Sequence, residues 1–210
     1  MYTLNTKEFS NFDLQSVGKF VEFWRQFYKD DIKIPETTVS IDYASELNMG
    51  ADLTEQNLVR LLRWKDPIRL TEKIFSGPNQ GATNVRVDKV KAELGAINDF
   101  RNGKLTYEDF QKIVSNLFPE GDQIWPIFLV HIARPLEYPI ADRHVYRAFR
   151  KHMNVQLSDP WVFYEEYRKY FENLFAEYSR TAPKQSELLL RKNLDDALFA
   201  FGKFLDMYDP

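Results

Sequence analysis

The chain has 210 residues, of which 44% are hydrophobic, 28% charged and 15% aromatic, with a formal net charge of −3. That composition is globular rather than disordered, and no apolar run approaches the roughly 20 residues that a bilayer-spanning helix needs. Cysteine is absent and the only histidines are His131, His144 and His152, which excludes disulfides, thiolate zinc sites and iron–sulfur clusters and leaves little for any metal centre. The net charge argues against bulk adhesion to nucleic acid without speaking to a local basic face. The opening MYTLNTKEFS has neither a basic start nor an apolar signal core, so a cytoplasmic protein with no membrane partner is predicted.

Taken in order, Leu14, Val17, Phe20, Val21, Trp24, Phe27 and Tyr28 recur at helical spacing and predict a helix over 14–28. Residues 30–49 read as a long connection, in which Val39, Ile41 and Tyr43 alternate like a short strand. Thr54 can cap a helix carrying Leu58, Leu61 and Leu62. Asp66-Pro67 then reads as the cap and first position of another, with Ile68, Leu70, Ile74 and Phe75 inward and Gly77-Pro78 as its stop. The stretch 77–84, GPNQGATN, is the most loop-like in the chain and is where two lobes of a single domain over 1–210 would meet. A stripe of Val87, Val90, Leu94, Ile97 and Phe100 predicts one helix ended by Asn102-Gly103. Thr106 with Asp109 makes a capping box ahead of Phe110, Ile113 and Val114. Asp159-Pro160 starts a helix with a broad aromatic face from Trp161 to Tyr178, and the last helix carries Leu190, Leu194, Leu198, Phe201 and Leu205. The class is all-α, a two-lobed bundle of about nine helices.

Residues 117–152 hold the chemistry. A short glycine-bearing turn, Pro119-Glu120-Gly121, lies between two helices, with Asp122 as cap and Gln123 as the second helix's first residue. Free N–H groups at such a turn, together with the helix dipole, can hold a phosphate. Pro135 and Pro139 stiffen the following loop, which delivers Asp142 to the start of another helix whose Val145, Ala148 and Phe149 face inward. A carboxylate fixed there can stabilise an oxocarbenium cation or orient a water, as glycosidic bond cleavage requires; as a residue type, the same acid is equally a plain helix cap.

This succession of turn, apolar helix, proline loop and the run PIADRHV at 139–145 resembles the helix-hairpin-helix DNA glycosylase superfamily, most nearly its 8-oxoguanine DNA glycosylase-like members. The resemblance covers about 106–152, and the closing DDALFAFGKFL at 195–205 is similar to the family's terminal helix. It implies double-stranded DNA with a flipped base as partner and Asp142 as the acid that promotes base loss. It also implies that the hairpin residues Gly121, Asp122 and Gln123 hold the DNA backbone. Read from the residues alone, Arg143 and Arg147, with Arg134, Arg150 and Lys151, make the neighbourhood of Asp142 basic, as a phosphate-contacting surface or a solvated helix face would be. There are departures. Gln123 occupies the position where many members carry a nucleophilic lysine, and an amide cannot form a Schiff base, so base excision without strand cleavage is expected. The hairpin has one glycine where the family usually has two, and Ala141 is an extra residue before the acid. No cofactor is expected beyond a monovalent cation that hairpin carbonyls could hold.

Trp64, Lys65 and Asp195 are candidates for a base pocket, Trp64 by stacking and Lys65 by binding phosphate. Each also fits a structural role, as core aromatic, surface lysine and helix-start acid. Two other readings fit the residues: an inactive DNA-binding protein of the same fold, and a helical interaction module presenting the aromatic helix.

Overall fold

The computed structural model of the chain describes residues 17–28, 42–74, 76–118, 124–154 and 159–208. Ten α-helices lie among these residues. They are α1 (Val17–Trp24, continued by a 3-10 turn Arg25–Phe27), α2 (Tyr43–Glu46), α3 (Glu55–Lys65), α4 (Val85–Ala92), α5 (Leu94–Arg101), α6 (Tyr107–Ser115), α7 (Ile124–Ala133), α8 (Arg143–Met153), α9 (Pro160–Thr181) and α10 (Glu187–Tyr208). Among the described residues the only β-type pairing is an isolated bridge between Lys73 and Thr83, so the fold is all-α. No described helix is long and apolar enough to cross a membrane.

The chain divides into two compact units, Met1–Asp30 with Leu136–Pro210, and Asp31–Pro135. In the first unit α10 packs along both α8 and α1. Asp159 caps α9 by accepting from Trp161 N at 2.8 Å and Val162 N at 2.9 Å, with Pro160 in the first turn where its missing N–H costs nothing. The aromatic face of α9 is core: Phe163, Tyr164, Tyr167, Tyr170, Phe171 and Tyr178 are all buried, and Phe149 of α8 meets Phe163 and Tyr170 at centroid distances of 5.2 and 5.0 Å.

In the second unit α7 is buried from Trp125 to Ala133, as a helix apolar all round must be. Pro126 is tolerated because it lies in the first turn. Capping follows the sequence closely: Thr54 and Asn57 form a reciprocal capping box on α3, and Thr106 accepts from Asp109 N at 3.2 Å on α6. Three expectations are corrected. The helix expected after Asp66 is a single turn, in which Asp66 accepts from Ile68 N and Arg69 N at 3.0 and 2.8 Å. The chain then folds back, with Ile74 N donating to Ala82 O and Asn84 N donating to Glu72 O, each at 2.9 Å. Gly77 and Gly81 at φ +95° and +83° make that reversal possible. The loop 77–84 is thus the end of a hairpin-like excursion inside the second unit.

The single helix expected over the Val87–Phe100 stripe is two, broken at Glu93 (φ −93°, ψ 11°), whose N–H turns back to Val90 O. Tyr43, read as part of a strand, opens the short helix α2 instead. Asp42 caps it and accepts from Ser45 Oγ at 2.6 Å, so an acid three residues ahead of a serine was the local signal. Residues 39–41, Phe75 and the hairpin turn 119–123 lie outside the described residues.

Candidate functional site

Asp142 sits where the sequence places it, at the N-cap of α8. Its backbone is extended (φ −152°, ψ 179°), and its Oδ1 accepts from His144 N at 2.8 Å and Val145 N at 3.1 Å. The approach is rigid on both sides. Tyr138, Pro139, Ile140 and Ala141 are buried, and the Tyr164 hydroxyl donates to Pro139 O at 3.0 Å, tying the loop to α9. Ala141 is fully enclosed, while Asp142 itself stays partly exposed.

Behind the acid, α10 makes an unusually close approach. A Cβ built on Gly202 would lie 1.9 Å from the carbonyl oxygen of His144, the residue whose N–H holds Asp142. Only a glycine lets the two helices meet there. A glycine inside a long apolar helix pattern was the available sign of a close contact.

His144 is buried at 8% exposure. Arg143 Nε lies 3.2 Å from its Nε2, Arg147 Nη1 lies 3.4 Å from its Nδ1, and Phe199 meets the ring edge-on at 4.8 Å. A neutral imidazole has one acceptor nitrogen, so only one of the two arginine contacts is a hydrogen bond at a time. Burial, first, and the two arginines lower its pKa, against Asp142 and Asp206, which raise it. Arg147 is further held by Asp206 at 2.7 Å and Gly202 O at 3.5 Å. Arg143, Arg150 and Lys151 are exposed along the same helix.

Asp195 is buried on α10. After the larger effect of burial, it is one of two carboxylates, with Asp142, that raise the pKa of Tyr167 and so disfavour its ionisation. Tyr146, Tyr167, Gly202 and Asp206 are the residues that the sequence did not single out. The structure therefore brings Asp142, Arg143, Arg147 and Asp195 into one unit.

Trp64 and Lys65 belong to the other unit, and Gly121, Asp122 and Gln123 lie outside the described residues. Trp64 is half-buried in an aromatic stack, 4.5 Å from Tyr43 and 6.2 Å from Phe128, and Lys65 Nζ lies 5.8 Å from the Phe128 ring. His131 is enclosed in the same stack and hydrogen-bonded to the Tyr43 hydroxyl, so it is a satisfied core histidine. No three metal-ligating side chains gather among the described residues. A cavity of about 740 Å³ opens between α1 and the end of α9, lined by Lys19, Glu22, Arg25, Thr181 and Gln185 among others, and contains none of the residues expected from the sequence.

Compared with known proteins, the chain matches no family model, no curated protein and no solved structure.

Proposed function

We propose that the chain is a monofunctional DNA N-glycosylase, which hydrolyses the bond between a damaged or modified base and its sugar and leaves an abasic site. The observation that carries this reading is the fixed, partly exposed Asp142 carboxylate at the start of α8, on a helix that also presents Arg143, Arg150 and Lys151 outward. A carboxylate so anchored stabilises positive charge developing on a sugar ring without reorganising at the moment of reaction. Basic side chains beside it suit a phosphate backbone.

In the reaction, a water oxygen forms a bond to C1′ as the C1′–N bond breaks, and the electron pair leaves with the base nitrogen. Asp142 faces the cationic sugar and accepts the proton that the water loses; the departing base takes up a proton from solvent, and Asp142 returns its own. Gln123 offers no amine, so no covalent sugar intermediate forms and the strand stays intact.

Replacing Asp142 with Asn tests this. Asn is a good N-cap, so Asp142→Asn should fold and bind DNA while releasing no base. A duplex panel carrying one modified base each, heated in alkali to reveal abasic sites, reads the outcome. Salt-sensitive DNA binding with no base release by the unaltered protein would instead favour a non-catalytic DNA-binding protein, in which Asp142 is only the cap its two N–H bonds make it.

A further inference from the structure

Two buried tyrosine hydroxyls beside Asp142 have no hydrogen-bond partner among the described residues: those of Tyr146 and Tyr167. Buried hydroxyls are normally bonded, and a pair without partners in one place calls for a physical explanation. Tyr167 is fully buried on α9, and its ring meets that of Tyr146 edge-on at 5.5 Å. Tyr146 lies one helical turn after Asp142, on the same side of α8. Asp195, buried on α10, lies two turns before Gly202 and so on the stripe of α10 that touches α8. Burial and the neighbouring carboxylates push both phenols above their ordinary ionisation range, so each keeps its proton.

We infer that the hydroxyls of Tyr146 and Tyr167 form, with the carboxylates of Asp142 and Asp195, a binding site for a single water molecule inside the first unit. The complementarity is specific. Tyrosine hydroxyls both donate and accept, whereas carboxylates only accept, so one water can accept from a phenol and donate to an acid. Sites of this kind, polar and enclosed, are where proteins retain ordered water. A cation is disfavoured because the positive end of α8 meets the site at Asp142, its N-cap. On the hydrolytic reading proposed above, on which this part rests, that water is the nucleophile, and the two tyrosines are the residues that position it.

A high-resolution crystal structure of the unaltered protein, together with single-turnover kinetics of Tyr146→Phe and Tyr167→Phe, tests the site. Expected are ordered solvent density within hydrogen-bonding reach of both hydroxyls and of an acid, and a fall of roughly 10- to 100-fold in the base-release rate for either variant, with substrate affinity unchanged. Circular dichroism melts within about 2–4 °C of the parent would exclude misfolding as the cause. A dry hydroxyl pair would overturn the site whatever the kinetics, and a fully active Tyr167→Phe would overturn the assignment of that water as the nucleophile. Solvent density in a protein that releases no base from any duplex would leave the water site standing and overturn only the glycosylase reading.

Discussion

A methyl group added at Gly202 would sit 1.9 Å from His144 O and 2.5 Å from its carbonyl carbon, both backbone atoms, so the two helices would have to separate. Alanine gains about 1 kcal/mol over glycine in helix propensity, whereas forced overpacking against backbone costs about 3 kcal/mol. Gly202→Ala should therefore be destabilised by about 2 kcal/mol, read from its urea midpoint, and the unaltered midpoint would show that the contact yields freely. His144 carries a second prediction. Its folded pKa lies below its ordinary value, so between the two the unfolded chain binds more protons and stability rises with pH. The contribution is complete above the unfolded value near 6.5 and is lost as pH falls from there through the folded pKa. Melting temperatures across pH 8 to 5 should drop less steeply in His144→Gln than in the parent; parallel curves would contradict this.

Among the elements, α2, α5 and α7 meet through one side chain. The Arg101 guanidinium donates to Leu47 O at 2.7 Å, Asn48 O at 2.6 Å and Ile132 O at 3.2 Å, and desolvation lowers its pKa. Removing it leaves carbonyls with no donor in a closed space, so Arg101→Ala should cost about 2–4 kcal/mol by chemical denaturation, with Arg101→Lys intermediate because one ammonium cannot span all three. Little of this was legible beforehand, since an arginine at the end of an apolar stripe looks like any solvated helix terminus. Caps were legible, because Thr54, Thr106, Asp142 and Asp159 each act within three residues of themselves. The break at Glu93 and the reversal over 72–84 were hidden, because apolar spacing continues across the first and the glycines in the second resemble a helix stop. Asp142 was readable as a cap, but its setting was not: Gly202, Tyr167 and Asp195 come from helices distant in sequence, and which faces those helices share is decided by packing.

At the scale of the whole molecule, the net charge of −3 means that any hold on DNA must come from a local basic surface rather than from the overall field. The exposed cations of α8 are the candidates. DNA binding should weaken as salt rises, and Arg143→Gln should reduce the slope of log affinity against log salt by about 1; an unchanged slope would take Arg143 out of the interface. The two compact units hold different parts of the proposed machinery, the acid in one and Trp64 with Lys65 in the other, so activity should require the full chain. The most direct measurement is base release from duplexes carrying single modified bases, comparing the unaltered protein with Asp142→Asn. Abasic sites appearing with at least one duplex, only after alkali treatment and only with the unaltered protein, are the predicted result. Release that persists undiminished in Asp142→Asn, or none from any duplex with either protein, would contradict it.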